Sequence, residues 1–174
     1  MNKRLTWFII AVALQMLILT AVPARKIYTR QTGKAVILKT SPYDPYTIMS
    51  GYYVRLTHEI SRPQVSREQW RSWPERQGVW VVLKKGDNEI WYADSVHNSS
   101  PEHLPNEAVV IKGKKKNDRI VYGIESYFIP ENARETVEND LREHSAQARI
   151  EVKIDSSGHA AIIKLLIEDR VYQY

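Results

Sequence analysis

Tyrosines and one carboxylate are concentrated in a single proline-containing segment, and side chains of these types are suited to recognition. The group consists of Tyr43, Asp44, Pro45, Tyr46, Tyr52 and Tyr53. Tyrosine rings are frequent contact residues in protein interfaces. They are also common at the rim of a hydrophobic core, where the ring packs and the hydroxyl stays wet. The sequence leaves both interpretations open.

Composition excludes several kinds of site. The chain has no cysteine, which excludes disulfides, thiolate metal ligands and thiol catalysis. Its five histidines show neither HxxxH nor HExxH spacing, and we predict no metal and no other cofactor. The net charge of +5, to which Lys3 and Arg4 contribute, is too small to indicate nucleic-acid binding.

One serine and two lysines offer a hydrolytic alternative. Ser41 as nucleophile, with Lys84 or Lys85 before the turn at residues 86–88, loosely resembles the Ser–Lys layout of type I signal peptidases. That chemistry needs a desolvated lysine with a lowered pKa within hydrogen-bond reach of the serine. Pro42 directly follows the serine, and both lysines adjoin a predicted exposed turn, so we keep a serine–lysine hydrolase as the alternative function.

A basic cluster lies in a predicted hairpin loop that also carries Gly113. Its members are Lys112, Lys114, Lys115, Lys116 and Arg119. A solvated turn is the simpler interpretation. Contact with anionic lipid headgroups is the alternative, if the loop faces a membrane.

The N-terminal segment predicts a membrane anchor. No charged residue occurs at positions 5–24, and as a helix this stretch would span about 30 Å, the thickness of a bilayer core. A cleaved signal peptide is the competing interpretation, with residues 22–24 as its exit. Pro23 before the cut and Arg25 after it favour a retained anchor.

Residues 25–174 are predicted to form one α+β domain. Alternating apolar residues and turn signals indicate a mainly antiparallel sheet or partly open barrel. One amphipathic helix is expected near residues 130–144, and Ser66 is expected to cap a shorter one. The long helix should bury Ala133, Val137 and Leu141 and expose Glu135, Asn139 and Arg142.

Alternation also predicts how the motif-bearing strand at residues 51–60 is oriented. Tyr52, Val54, Leu56, His58 and Ile60 should share one face of it. Gly51 is expected to supply a positive φ at its start, after a proline loop at residues 41–45. Glu125 is predicted to lie mid-strand, either on the wet face or paired with an arginine.

Three ordered segments resemble the GDYXXLXY proteins, a bacterial family of membrane-anchored proteins without an assigned activity. In the first, the fitting residues are Thr40, Pro42, Asp44, Pro45, Gly51, Tyr53 and Leu56. The others are YGIESYFIPE at residues 122–131 and VKIDSSGHAAIIKLLIE at residues 152–168. Tyr52 stands where the family motif has Asp, and His58 where it has its last Tyr. Tyrosine cannot replace a carboxylate base near neutral pH, so a catalytic role for the motif's Asp is in doubt.

The resemblance implies a function in binding and not in catalysis. Such proteins resemble accessory partners of multi-pass membrane proteins, so we expect a non-enzymatic interaction module. Its predicted binding region comprises the tyrosine-rich segment together with Gly51, Leu56 and Glu125. The expected location is the plasma (inner) membrane, crossed once, with the N-terminus inside and the domain extracytoplasmic.

Overall fold

The computed structural model of the chain describes residues 3–44, 48–62, 65–86, 88–101 and 103–174. Its α-helices are α1 (Lys3–Thr32), α2 (Arg67–Ser72) and α3 (Arg134–Glu143). Its strands are β1 (Lys34–Pro42), β2 (Met49–Ser50), β3 (Tyr53–His58), β4 (Gly78–Lys85), β5 (Ile90–His97), β6 (Val109–Lys116), β7 (Arg119–Val121), β8 (Ser126–Phe128), β9 (Ala148–Ile154), β10 (Ala160–Ile167) and β11 (Arg170–Tyr172). Short 3₁₀ turns occupy Glu59–Ser61, Glu131–Ala133 and Ser145–Gln147.

The described strands form a curled, mixed sheet that closes about halfway to a barrel. Its main path runs β11-β10-β9-β1-β5-β4-β6-β7. The strand β1 pairs in parallel with β5 and antiparallel with β9. From Thr40 onward β1 pairs with β3, which also pairs with β2 and β8. This change of partner bends the sheet, and the predicted β-rich α+β class is confirmed.

The helix α3 covers the core as its periodicity predicts. Val137 and Leu141 are fully buried, whereas Glu135, Asn139 and Arg142 are exposed. Ala133 is half-buried, because it belongs to the 3₁₀ turn that precedes the helix.

A buried carboxylate ties α3 to the last strand. Asp140 accepts hydrogen bonds from the Tyr172 hydroxyl and the Arg170 guanidinium. Burial works to raise the pKa of Asp140, but these hydrogen bonds and the charge of Arg170 hold it below its ordinary value.

The helix α1 is long and apolar enough to cross a membrane, and it continues beyond the uncharged segment. Its last turns pack on β9 and β10. The Thr29 hydroxyl donates to Asp155 Oδ2 at 2.6 Å, and Arg30 donates to the Ile162 carbonyl at 3.3 Å. Gly33 alone separates α1 from β1, and a Cβ there would lie 2.6 Å from the Thr29 carbonyl oxygen. The helix and the sheet are therefore joined without a flexible linker.

The predicted loop around the lysine cluster is wrong. The strand β6 continues through Lys116, and the turn is confined to Asn117 and Asp118. Gly113 lies within β6, where a Cβ would come 2.3 Å from a methyl carbon of Ile120. Lys115 points inward and is buried, so the simple solvated-turn interpretation fails for that residue.

Two boundaries near the motif also differ from the prediction. Ser41 and Pro42 belong to β1 and pair with Thr57 and Leu56 of β3, because β1 changes partner instead of ending in a loop. Tyr52 lies in the β2–β3 turn and is half exposed, so it does not share the buried face of Val54, Leu56 and His58.

Candidate interaction site

The side chain of Tyr43 is held between two arginines where β1 ends. Its ring centroid lies 5.1 Å from the Arg55 guanidinium carbon and 4.9 Å from that of Arg119. Arg119 donates to the Tyr43 hydroxyl at 3.3 Å, and the Tyr43 amide donates to the Arg55 carbonyl at 2.9 Å. The ring is nevertheless 46% exposed. It therefore lies at the surface, in a fixed position.

A groove of about 310 Å³ opens beside this ring, and we call it the Tyr43 groove. Its lining residues are Tyr43, Arg55, Leu56, Thr57, Ser61, Lys116, Asn117, Arg119, Val121, Glu125 and Ser126. Three of them carry positive charge and one carries negative charge. The hydroxyl and amide groups of the lining add further hydrogen-bonding capacity.

Glu125, the one acid of the groove, is already satisfied by the backbone. Its carboxylate accepts hydrogen bonds from the amides of Tyr122 and Gly123. The predicted mid-strand position is wrong, because Glu125 lies in the turn just before β8. Its partners are backbone amides and not an arginine. The pKa of the Tyr122 hydroxyl is raised by the burial of Tyr122 and by the negative charge of Glu125. The net character of the groove is therefore basic.

Among the other predicted site residues, some form the turn or the hydrophobic core and some lie at the surface. Gly51 has a φ of +63°, the left-handed conformation that glycine adopts most readily, so the turn before β3 accounts for a glycine at this position. Leu56 is buried in the core. Tyr52 and Tyr53 are half exposed beside Phe128. Asp44 is half-buried at the end of the first described segment, and Pro45 and Tyr46 lie outside the described residues.

Sequence reasoning missed the two arginines that hold Tyr43. Alternation along β3 places Arg55 on the outer face with Tyr53, which was the available signal for it. Arg119 reaches Tyr43 from a strand 76 residues later, and no local pattern indicates that contact.

Ser41 and the two lysines give no support to hydrolysis. The Lys84 amino group lies 3.0 Å from the Asp94 carboxylate, and that of Lys85 lies 2.7 Å from Glu89. Pairing with a carboxylate is the opposite of the desolvated environment that a lysine base requires. Within the described ranges, no group of three or more His, Asp or Glu side chains is placed to hold a metal ion.

A larger cleft of about 710 Å³ lies where β1 and β5 diverge. Two of its cationic side chains already have partners. Lys39 approaches Glu59 at 3.9 Å, and Arg149 donates to the Glu168 carbonyl at 3.0 Å. None of the predicted site residues that the structure describes lines it, so the Tyr43 groove is the stronger candidate.

Comparison with known proteins identifies the family of this chain. The family model described as GDYXXLXY protein matches residues 15–165. The chain belongs to the GDYXXLXY family. No curated protein and no solved structure matches it. In this GDYXXLXY protein the motif supplies a turn glycine at Gly51, an outward ring at Tyr53 and a core side chain at Leu56.

The last position of the family motif is a buried histidine in this GDYXXLXY protein. His58 Nε2 donates to the Ile124 carbonyl at 3.0 Å, while its Nδ1 has no hydrogen-bond partner among the described residues. Burial lowers the pKa of His58, although the Ile124 hydrogen bond and the Glu125 charge act in the opposite direction. The imidazole is therefore neutral in the folded domain at neutral pH.

The unfolding free energy is expected to decrease as the pH is lowered, because His58 is buried in its neutral form. Above its ordinary pKa of about 6.5 the imidazole is neutral in both states, and below it the unfolded chain takes up the proton first. Each pH unit below that value should cost up to about 1.4 kcal/mol of unfolding free energy. Denaturant unfolding of the full chain in detergent between pH 8 and pH 5 measures this. The variant His58→Tyr carries no group at this position that titrates between pH 5 and pH 8, so it should lose less stability over that range. Parallel plots of unfolding free energy against pH for the two proteins would exclude His58 as the cause.

Proposed function

We propose that this protein is a non-enzymatic interaction module, held at the plasma (inner) membrane by α1, that binds a multi-pass membrane protein through the Tyr43 groove. The observation that carries the proposal is the exposed Tyr43 ring fixed between Arg55 and Arg119. A side chain that is already immobilised loses little entropy on binding. Tyr and Arg are also residues in which interface energy concentrates.

The anchor makes moderate affinity sufficient. In this proposal α1 crosses the bilayer at residues 5–24, with the short charged tail inside and the domain extracytoplasmic. Confinement to one membrane surface raises the effective concentration of a membrane-embedded partner. An accessory protein of this kind therefore needs only a small, well-positioned contact surface.

The charge of the groove indicates what the partner presents. Arg55, Lys116 and Arg119 face it, while the carboxylate of Glu125 is occupied by two backbone amides. Arginine guanidinium groups bind carboxylates through paired, charge-assisted hydrogen bonds. We therefore infer that the partner inserts an acidic side chain from an extracytoplasmic loop, with an apolar group beside the ring of Tyr43.

Removal of the ring is expected to release the partner. Cross-linking of the full chain in native membranes, followed by purification and mass spectrometry, should recover a multi-pass membrane protein. Tyr43→Ala should then weaken co-purification by about 30-fold, which corresponds to a loss of about 2 kcal/mol at an interface hot spot. Arg119→Ala should act in the same direction, and more strongly at low salt.

A matched control separates binding from folding. Tyr92 on β5 has the same 46% exposure as Tyr43 and does not line the groove. Tyr92→Ala should retain the partner, and all three variants should keep the wild-type melting temperature to within a few degrees. The proposal fails if the Tyr43 and Arg119 variants bind as well as the Tyr92 variant, or if cross-linking recovers no integral membrane protein.

A further inference from the structure

Three exposed aromatic rings form a continuous patch at one end of the small β2–β3–β8 sheet, where β3 begins and β8 ends. Tyr53 and Phe128 pack edge to face with centroids 5.8 Å apart, and Tyr52 lies 6.5 Å from Phe128. Each of the three side chains is about half exposed. Large apolar surfaces left open on a folded domain commonly mark a contact with another phase or molecule. We call these three residues the aromatic patch.

The aromatic patch lies beside the part of α1 where the uncharged segment ends. A cleft of about 370 Å³ is lined on one side by Pro23, Lys26 and Ile27, and on the other by Tyr53, Phe128 and Tyr174. Pro23 is the second-last residue of the uncharged segment, and Lys26 lies about 4.5 Å further along the helix. The patch is therefore level with the boundary between apolar and charged helix.

The structure fixes the aromatic patch at this level. Arg25 donates to His159 Nδ1 at 3.3 Å, and Thr29 and Arg30 are bonded to Asp155 and Ile162. These contacts hold two successive turns of α1 against the turn and first residues of the β9–β10 hairpin. Because no linker intervenes, the domain cannot turn the patch away from the plane in which α1 leaves the membrane.

We propose that the aromatic patch lies in the headgroup layer of the bilayer that α1 crosses and binds the phospholipid surface directly. Tyrosine is enriched at this depth because its ring enters the acyl boundary while its hydroxyl stays among the headgroups. Lys26 and Arg30 line the same cleft and supply charge that favours anionic lipid. Tyr28, which is exposed on the same stretch of α1, adds a further interfacial ring.

This inference rests on the proposed anchoring by α1, and it adds a second attachment of the domain to the membrane. It also locates the Tyr43 groove, because Ser126 lines both that groove and the cleft beside the aromatic patch. An acidic loop that enters the groove would then come from a partner segment close to the membrane surface.

Fluorescence quenching in vesicles tests the inference without a partner protein. Because the chain has no cysteine, single substitutions Phe128→Cys and Tyr53→Cys can each carry one environment-sensitive dye. The full chain is reconstituted into phosphatidylcholine–phosphatidylglycerol vesicles that contain lipid spin-labelled at the headgroup. Both dyes should be quenched at least twofold, with blue-shifted emission. A dye at Tyr92→Cys should show neither effect, because Tyr92 lines the cleft with Glu168 and Asp169, at the end of the β9–β10 hairpin remote from α1.

A third position distinguishes failure of the inference from failure of the anchor. A dye at Leu14→Cys, in the middle of the uncharged segment, should be quenched by lipid spin-labelled deep in the acyl chain. If that dye is quenched while those at positions 53 and 128 behave like the one at position 92, the anchor stands and the inference is wrong. If the dye at position 14 is not quenched, the anchoring and the inference both fail.

Discussion

Val137→Asp should lower the unfolding free energy of the domain by about 3–5 kcal/mol. Val137 is fully buried on α3, among the apolar side chains of the core. A carboxylate at that position either remains charged without a partner or takes up a proton at a cost set by its raised pKa. Denaturant unfolding of the full chain in detergent, followed by tryptophan fluorescence, measures the loss.

Asn139→Asp provides the control on the same helix. It introduces the same carboxylate two residues away, where the side chain is exposed, and should change stability by less than about 0.5 kcal/mol. Equal losses in the two variants would mean that charge on the helix, and not burial, determines the effect.

Lys115→Met should cost about 2–4 kcal/mol, an unusual loss for a lysine within a basic run. The Lys115 amino group donates to the carbonyls of Trp70 and Trp73 at 2.7 and 2.6 Å, and lies 5.3 Å from the Trp70 ring centroid. Methionine has similar length and packs in the same space, but it leaves two carbonyls at the end of α2 without this donor. Thermal unfolding should therefore begin at a lower temperature.

The neighbouring lysines make this result decisive. Lys114 and Lys116 lie on the exposed face of β6, and replacing either with Met should leave stability within about 0.5 kcal/mol of the wild type. A uniform response across the three variants would show that the Lys115 contacts contribute nothing beyond a general effect of charge.

Local periodicity and capping were sufficient to predict the elements that depend on neighbours in sequence. The four-residue spacing of Val137 and Leu141 predicted the buried face of α3. Ser66 caps α2 by accepting a hydrogen bond from the Gln69 amide, as predicted. The turn glycine at Gly51 was equally accessible, because a positive φ before a strand is a local requirement.

The features that the sequence did not disclose depend on distant contacts. Lys115 resembled its solvated neighbours because its acceptors are more than 40 residues away. Arg25 and Lys26 suggested a boundary between anchor and domain, but charged residues continue a helix readily, and α1 ends at Thr32. The pairing of Tyr43 with Arg119 arises from the curl of the sheet, which no pattern in either segment indicates.

Under the proposed anchoring by α1, the Thr29–Asp155 hydrogen bond would also make the domain responsive to bilayer thickness. The uncharged stretch of α1 matches a hydrocarbon layer of about 30 Å, and in a thinner bilayer such a helix tilts to relieve the hydrophobic mismatch. Because the last turns of α1 are hydrogen-bonded to the β9–β10 hairpin, the sheet would rotate together with the tilting helix. Where α1 spans a membrane, the angle at which the Tyr43 groove faces its surroundings is therefore set by the lipid composition as well as by the protein.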